Sequence, residues 1–270
     1  MSASTVSLAS EEPTGFGRIA QGVSDSLAIA QRNLIGLFRT PQLLVFATIQ
    51  PVIFVLMFRY VFGGAIQVPG VPYVDFLMPG IFVQTVVFGS IGAAVGLATD
   101  LKSGLLERFR SLPMARSAVL TGRTLADLGR NVFVAILMAV VGFAVGFRIH
   151  GGVPAFVLGM LIVLLFGYVL SWVFASLGLA TGDPESAQAA AFPVIAPLVF
   201  ASSAFVPVDS MPGWLQAWAN NQPVSVVISA VRALVLGRPA ASLVLQALAW
   251  CGGILLVFVP LAVRKYRSVA

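Results

Sequence analysis

Between Leu43 and Val263 the chain holds six long apolar runs in which ionisable side chains are almost absent. A helix needs about 20 apolar residues to cross a bilayer. Inside lipid every backbone N–H and C=O must be paired within the protein, so such runs fold as helices. The runs are Leu43 to Phe62, Phe76 to Thr99, Asn131 to Phe147 with a helical lead-in from Thr121, Pro154 to Thr181, Ala187 to Phe205, and Leu243 to Val263. The predicted fold is therefore an all-α integral membrane protein of six transmembrane helices. Composition agrees: 59% of the residues are hydrophobic and 10% charged, too few charges to cover a soluble globule.

Six spans put both termini on one side, and the basic residues say which. One side carries Arg18, Arg32, Arg39, Lys102, Arg108, Arg110, Arg116, Arg123, Arg130, Arg264, Lys265 and Arg267; the other carries only Arg59, Arg148, Arg232 and Arg238. Both termini and the loop after the second span are thus expected in the cytoplasm. The net charge of +6 reads as this topology signal and not as a nucleic-acid surface.

Three segments outside the spans have structure of their own. Residues 1–22 are polar, without the apolar core of a signal peptide, and read as a disordered cytoplasmic tail. Residues 23–41 read as an amphipathic interfacial helix, with Leu27, Ala30, Leu34 and Phe38 at helical spacing and Arg32 and Arg39 elsewhere around it; the alternative is an extended start of the first span. Residues 42–267 form the transmembrane domain. Within it, Leu101 to Leu112 is expected as a short two-faced cytoplasmic helix ended by Pro113. Leu105, Leu106, Phe109 and Leu112 share one face, and Gly104, Glu107 and Arg110 the other. Outside, Val206 to Gly237 holds Pro212, Trp214, Trp218, Asn221 and Pro223, then an apolar stretch too short to span. It reads as a re-entrant hairpin with tryptophans at headgroup depth.

The chemistry present is limited. Lys102–Ser103 follows Leu101, without the glycines of a phosphate-binding loop, so no ATPase site is expected in this chain. His150 and Cys251 are single residues without metal-spaced partners. Drawn as above, the spans carry one ionisable residue, Arg59. That counts against an ion-coupled carrier, which needs intramembrane carboxylates or histidines, and against a membrane hydrolase. The polar residues left inside include Gln50, Gln84, Thr85 and Ser90, candidates to line a path for an amphipathic cargo or simply to bond between helices. Arg123, Asp127 and Arg130 read as a helical charge cluster anchoring the cytoplasmic start of the third span.

The stretch from Asp100 through Gly104, Glu107, Arg108, Leu112, Pro113 and Arg116 to Arg123 resembles the signature loop of ABC-2 type permeases. The outer segment Met211-Pro-Gly-Trp-Leu-Gln, with Asn221-Gln-Pro-Val-Ser and Arg232, is similar to the external hairpin before the last span of that family, closest to its daunorubicin-resistance-type drug and lipid exporters. The resemblance implies a permease subunit in the cell membrane, paired with a second copy or a paralogue. A separate ATPase subunit binds ATP and Mg, so the chain needs no cofactor of its own. It further implies that Gly104, Glu107, Arg108, Arg110, Leu112 and Pro113, with Arg32, face that ATPase as a coupling helix. A polysaccharide exporter is the rival within the family.

Overall fold

The computed structural model describes residues 41–66, 68–105 and 116–269, together with Gln31 and Ile35, both helical. The expected tail, most of the interfacial helix with Arg32, and the loop carrying Glu107, Arg108, Arg110, Leu112 and Pro113 lie outside the described residues. Among the described residues there are helices and turns but no strand.

The first helix, α1 (Pro41–Leu56), runs into a wide π-helical turn over Met57–Phe62. Helices α2 (Tyr73–Gly89) and α3 (Ile91–Lys102) form one 30-residue apolar length, Tyr73–Lys102. It is broken at Ser90, whose hydroxyl donates to the Val87 carbonyl at 2.5 Å. A serine hydroxyl competing for carbonyls of the preceding turn is a known cause of helix bending. The expected single run Phe76 to Thr99 is thus longer at both ends and interrupted. The span expected from Asn131, with its separate lead-in, is one continuous helix, α4 (Arg116–Ala144).

Helix α5 (Gly152–Thr181) ends on Gly182, whose φ of +67° suits a left-handed helix stop. Asp183 then caps α6 (Pro184–Phe200) by accepting the Ser186 N–H at 3.0 Å, with Pro184 preset for the first turn. Helix α6 stops at Phe200, short of the expected Phe205. Helices α7 (Gly213–Asn221) and α8 (Pro223–Val235) form a hairpin before the last helix, α9 (Ala241–Val269). Leu101 and Lys102 end α3, and Gly104 turns the chain with φ +68°. The cytoplasmic helix expected from Leu101 therefore does not begin there.

Among the described residues, four helical lengths are long and apolar enough to cross a membrane: Tyr73–Lys102, Leu120–Ala144, Gly152–Thr181 and Ala241–Ser268. Helix α5 is the hub, packing on α2, α3, α4, α6, α8 and α9. Small residues allow this, as is usual between helices in lipid, where packing replaces the hydrophobic drive. A Cβ at Gly178 would collide with the Ala94 carbonyl of α3, and one at Gly167 would sit 2.9 Å from Val86 of α2. The outward faces are apolar: Ile136 and Val140 on α4, Leu161 on α5, and Leu245, Leu256 and Val257 on α9 are all exposed. Water does not tolerate such a surface over a whole molecule; lipid does.

Candidate functional site

A cavity of about 120 Å³ lies between α1, α2, α3 and α4. Helix α1 supplies Gln50 and Pro51; α2 supplies Gln84, Thr85, Phe88 and Gly89. Helix α3 contributes Gly92, and α4 contributes Arg130, Asn131 and Val134. Gln84 and Asn131 are almost wholly buried, yet Gln84 Oε1 and Asn131 Nδ2 have no hydrogen-bond partner. Thr85 donates to the Ile81 carbonyl at 2.7 Å, which leaves its oxygen free to accept as well.

The floor of the cavity is built by glycine. Gly89, Gly92 and Gly96 lie where α3 and the end of α2 meet α4, and side chains of α4 occupy the space a Cβ would take: Asn131 and Arg130 at Gly89, Arg130 at Gly92, Arg123 at Gly96. Two long cations thereby lie flat against a helix backbone. Arg130 donates to the Gly89 carbonyl and lies 3.8 Å from Asp127. Arg123 pairs with Asp100 at 3.1 Å. Asp127 is buried and its second carboxylate oxygen is unpartnered.

This corrects the expected absence of ionisable groups from the membrane-length helices. With the helices continued past the apolar runs, Asp75, Asp100, Arg123, Asp127 and Arg130 all fall on them. Boundaries drawn by apolarity alone stop at the first charge, so they exclude buried ion pairs by construction. The helical lead-in from Thr121 and the charge cluster of Arg123, Asp127 and Arg130 agree with the sequence reading; the seating of the two arginines against glycines of α2 and α3 is what the sequence did not show.

The opposite end of the bundle is tied shut by polar contacts. Arg232 of α8 donates to the Phe76 carbonyl at 3.0 Å and to the Ser203 carbonyl at 2.7 Å, with its guanidinium 3.7 Å from the Phe76 ring centre. Gln222 donates to the carbonyls of Leu198 and Ala201, which α6 leaves unpaired at its end. Tyr73 donates to the Phe205 carbonyl at 2.8 Å. Asp75, buried at the start of α2, accepts the Arg148 backbone N–H at 2.9 Å and has His150 Nδ1 at 3.7 Å. His150, which the sequence left without a metal-spaced partner, is exposed and lies beside Asp75.

Of the residues singled out by sequence, Gln50, Gln84 and Thr85 come together at the cavity; Ser90 does not, being spent on the helix break. Pro212 precedes α7, Trp214 is 76% exposed, Asn221 ends α7 and bonds the Ala217 carbonyl, and Pro223 opens α8. Across the other loops, Lys102 pairs with Asp183 at 2.6 Å. The hydrogen bond from Lys102, seconded by the Ser186 N–H, holds the Asp183 carboxyl well below its usual range, at about 2.

Residues 25–236, from before α1 to the end of the α7–α8 hairpin, match the family model described as ABC-2 type transporter. The chain belongs to that family. Both the glycine-floored cavity and the end held by Arg232 fall inside the matched range of this ABC-2 type chain. It is 36% identical to the daunorubicin resistance ABC transporter permease protein DrrB1 of Streptomyces coeruleorubidus, over 98% of this chain and 92% of that one. It is 29% identical to the probable doxorubicin resistance ABC transporter permease protein DrrC of Mycobacterium tuberculosis, over 82% of this chain and 81% of the relative. A third relative, the doxorubicin resistance ABC transporter permease protein DrrB of M. tuberculosis, is 30% identical over 73% of this chain and 72% of its own. Family membership and the long apolar helices together make this a multi-pass membrane protein.

Proposed function

We propose that the chain is the permease subunit of an ATP-driven exporter that carries an amphipathic, drug- or lipid-like cargo out of the cytoplasm or inner leaflet. The observation that carries this is membership of a transporter family in which the relatives named above are drug-resistance permeases; a cavity lined in part by Gln50, Gln84, Thr85 and Asn131 within an apolar bundle supports it. A separate ATPase would supply ATP binding and Mg, and a second permease, identical or paralogous, would complete the path.

Six spans follow from adding two helices to the four long ones. Helix α1 and its π-turn have 16 and 6 residues, about 33 Å at the α-helical rise. Helix α6 has 17 residues, about 25 Å, and the irregular segment to Phe205 extends it. Helix α8, with 13 residues, reaches only about 20 Å and fits a re-entrant arm. In this reading residues 1–22 are a cytoplasmic tail, 23–41 an interfacial helix, and 42–267 the transmembrane domain, with both termini inside. Glu107 and Arg110, flanked by Gly104 and Pro113, would meet the ATPase.

The experiment is uptake of a fluorescent amphipathic dye into inside-out vesicles bearing this chain and its ATPase. Uptake is expected only when both subunits and ATP are present. Uptake by the chain alone, driven by an imposed pH gradient, would overturn the proposal in favour of a carrier using Asp127 or Asp75.

A further inference from the structure

We infer that Arg59, in the π-helical turn that ends α1, binds the phosphate of a phospholipid headgroup in the leaflet on the side of the α7–α8 hairpin. The inference is independent of the permease reading and does not rest on it.

Arg59 is a cation whose hydrogen bonds are unspent. It is half-buried, and among the described residues it makes no hydrogen bond and no ion pair. Its Nε is sealed against the protein without a partner, while its two terminal nitrogens stay open to the surroundings. The Tyr60 ring centre lies 5.8 Å from the guanidinium, near the limit of a cation–ring attraction, which leaves the in-plane donors unused. Arg232, at the same end of the bundle, makes the contrast: it spends its donors on the Phe76 and Ser203 carbonyls. A partly desolvated cation without a counter-charge is costly, and an anion from outside the chain relieves that cost.

Position says where the anion comes from. From Pro41 to Arg59 the helical path is about 27 Å at the α-helical rise, close to the ~30 Å thickness of the hydrocarbon core. Helix α1 therefore carries Arg59 from one boundary of the core to the other. Phe58 stacks on Phe205 with ring centres 4.4 Å apart, which ties the π-turn to the end that holds the hairpin. Tyr60, Trp214 and Trp218 are exposed at that end, and such rings settle at headgroup depth. Leu56, Val61 and Phe62 beside Arg59 are exposed as well, so its surroundings are acyl chains below and headgroups above. The anion a bilayer supplies at that level is the phosphodiester.

Chemistry says why an arginine stands there. The planar fork of a guanidinium matches two phosphate oxygens at once. The turn that presents it is closely built: a Cβ at Gly63 would strike the Arg59 carbonyl. Single π-turns are rare and recur at functional sites.

The test uses the purified full chain, stripped of lipid in detergent, with three probes at equal concentration. These are dioleoyl phosphatidylglycerol, dioleoylglycerol with the same chains but no phosphate, and inorganic phosphate. Binding is read by native mass spectrometry and stability by the thermal midpoint. Phosphatidylglycerol should bind and raise the midpoint, since a ligand of the folded state stabilises it; the other two should do neither. Arg59→Gln should cut phosphatidylglycerol binding about tenfold, for the loss of a hydrogen-bonded charge. Arg59→Lys should restore only part of it, because the fork is gone. Without lipid, Arg59→Gln should melt no lower than the unaltered chain, since Arg59 has no bond there to lose. Arg267→Gln removes an exposed charge at the far end of α9 and should leave binding unchanged. Equal losses for Arg59→Gln and Arg267→Gln would mean that net charge alone attracts the lipid, and would overturn the inference. Equal binding of dioleoylglycerol, or a midpoint raised as much by inorganic phosphate, would overturn it too. So would a dimer that Arg59→Gln dissolves while phosphatidylglycerol binding stays unchanged, which would give Arg59 to a second copy of the chain. If Arg59→Gln fails to fold, phosphatidylglycerol with a diazirine in its headgroup decides on the unaltered chain. Labelling at Met57–Phe62 is the expected result, and labelling confined to the basic end of α9 would contradict it.

Discussion

Gly178 sits where α5 crosses α3 so closely that a methyl group would strike the Ala94 backbone. Backbone cannot move aside as a side chain can, and forcing bulk into a packed crossing costs about 1–3 kcal/mol. Gly252 on α9 has nothing within 4 Å of where its Cβ would be. Gly178→Ala should therefore lower the thermal midpoint in detergent, while Gly252→Ala leaves it unchanged or raises it through helix propensity. Equal midpoints for the two variants would mean that the α3–α5 crossing is looser than described. Arg232 is the second residue whose removal should be felt. Arg232→Ala leaves the Ser203 carbonyl without this donor, at about 1–3 kcal/mol for a buried group left unpaired, and removes a second bond to the Phe76 carbonyl, which α2 already engages. Arg232→Lys keeps the charge but loses the planar fork and the stacking on Phe76, so it should rescue only a small part. Full rescue by lysine, read from the same melting curves, would show that charge alone matters at the outer end.

At the scale of elements, the apolar lengths were legible because the bilayer requirement overrides local propensity. Pro51, Pro79, Pro193, Pro197 and Pro260 all lie inside helices, which lipid-embedded bundles tolerate by re-pairing the freed carbonyls. The break at Ser90 was not legible, since many serines in such helices bond back without bending them. The charge cluster of Arg123, Asp127 and Arg130 on α4 was legible from its helical spacing, but the seating of the two arginines against glycines of α2 and α3 was not, being a tertiary arrangement. Gln50, Gln84 and Thr85 stood out as polar residues in apolar surroundings; their meeting depends on how α1 and α2 rotate about their axes, which no single run encodes. Asn131 was taken only as a boundary. For the loop after α3, the two-faced sequence pattern of residues 105–112 makes a prediction that separates by face. Glu107→Ala and Arg110→Ala should reduce co-purification of the ATPase by the ~2–5 kcal/mol typical of a truncated buried charge contact, with membrane insertion intact. Leu105→Ala should instead lower the yield of folded protein. If Glu107→Ala and Arg110→Ala retain wild-type co-purification and cargo-stimulated ATP hydrolysis, that face does not carry coupling.

At the scale of the whole molecule, the bundle is polar in two places. The end that carries the α7–α8 hairpin is tied by Arg232, Gln222, Tyr73 and Asp75, and the cavity lies against the half-buried Arg130, seated on Gly89 and Gly92. A transporter driven from a separate ATPase needs both a place for cargo and an end that opens as the subunits move, and nucleotide can shift such an equilibrium only by binding one state better than the other. The buried carboxylates sharpen the choice of energy source. Asp127 has an unpartnered oxygen beside two arginines, and such a group inside a membrane is by default a candidate for proton coupling; in the permease reading it is the counter-charge that keeps Arg130 neutralised at the cavity wall. The deciding measurement is cargo uptake by proteoliposomes containing this chain and its ATPase, at constant ATP, before and after an uncoupler collapses the proton gradient. Uptake that persists at its original rate after collapse is the predicted result; uptake that stops with the gradient while ATP hydrolysis continues would contradict it.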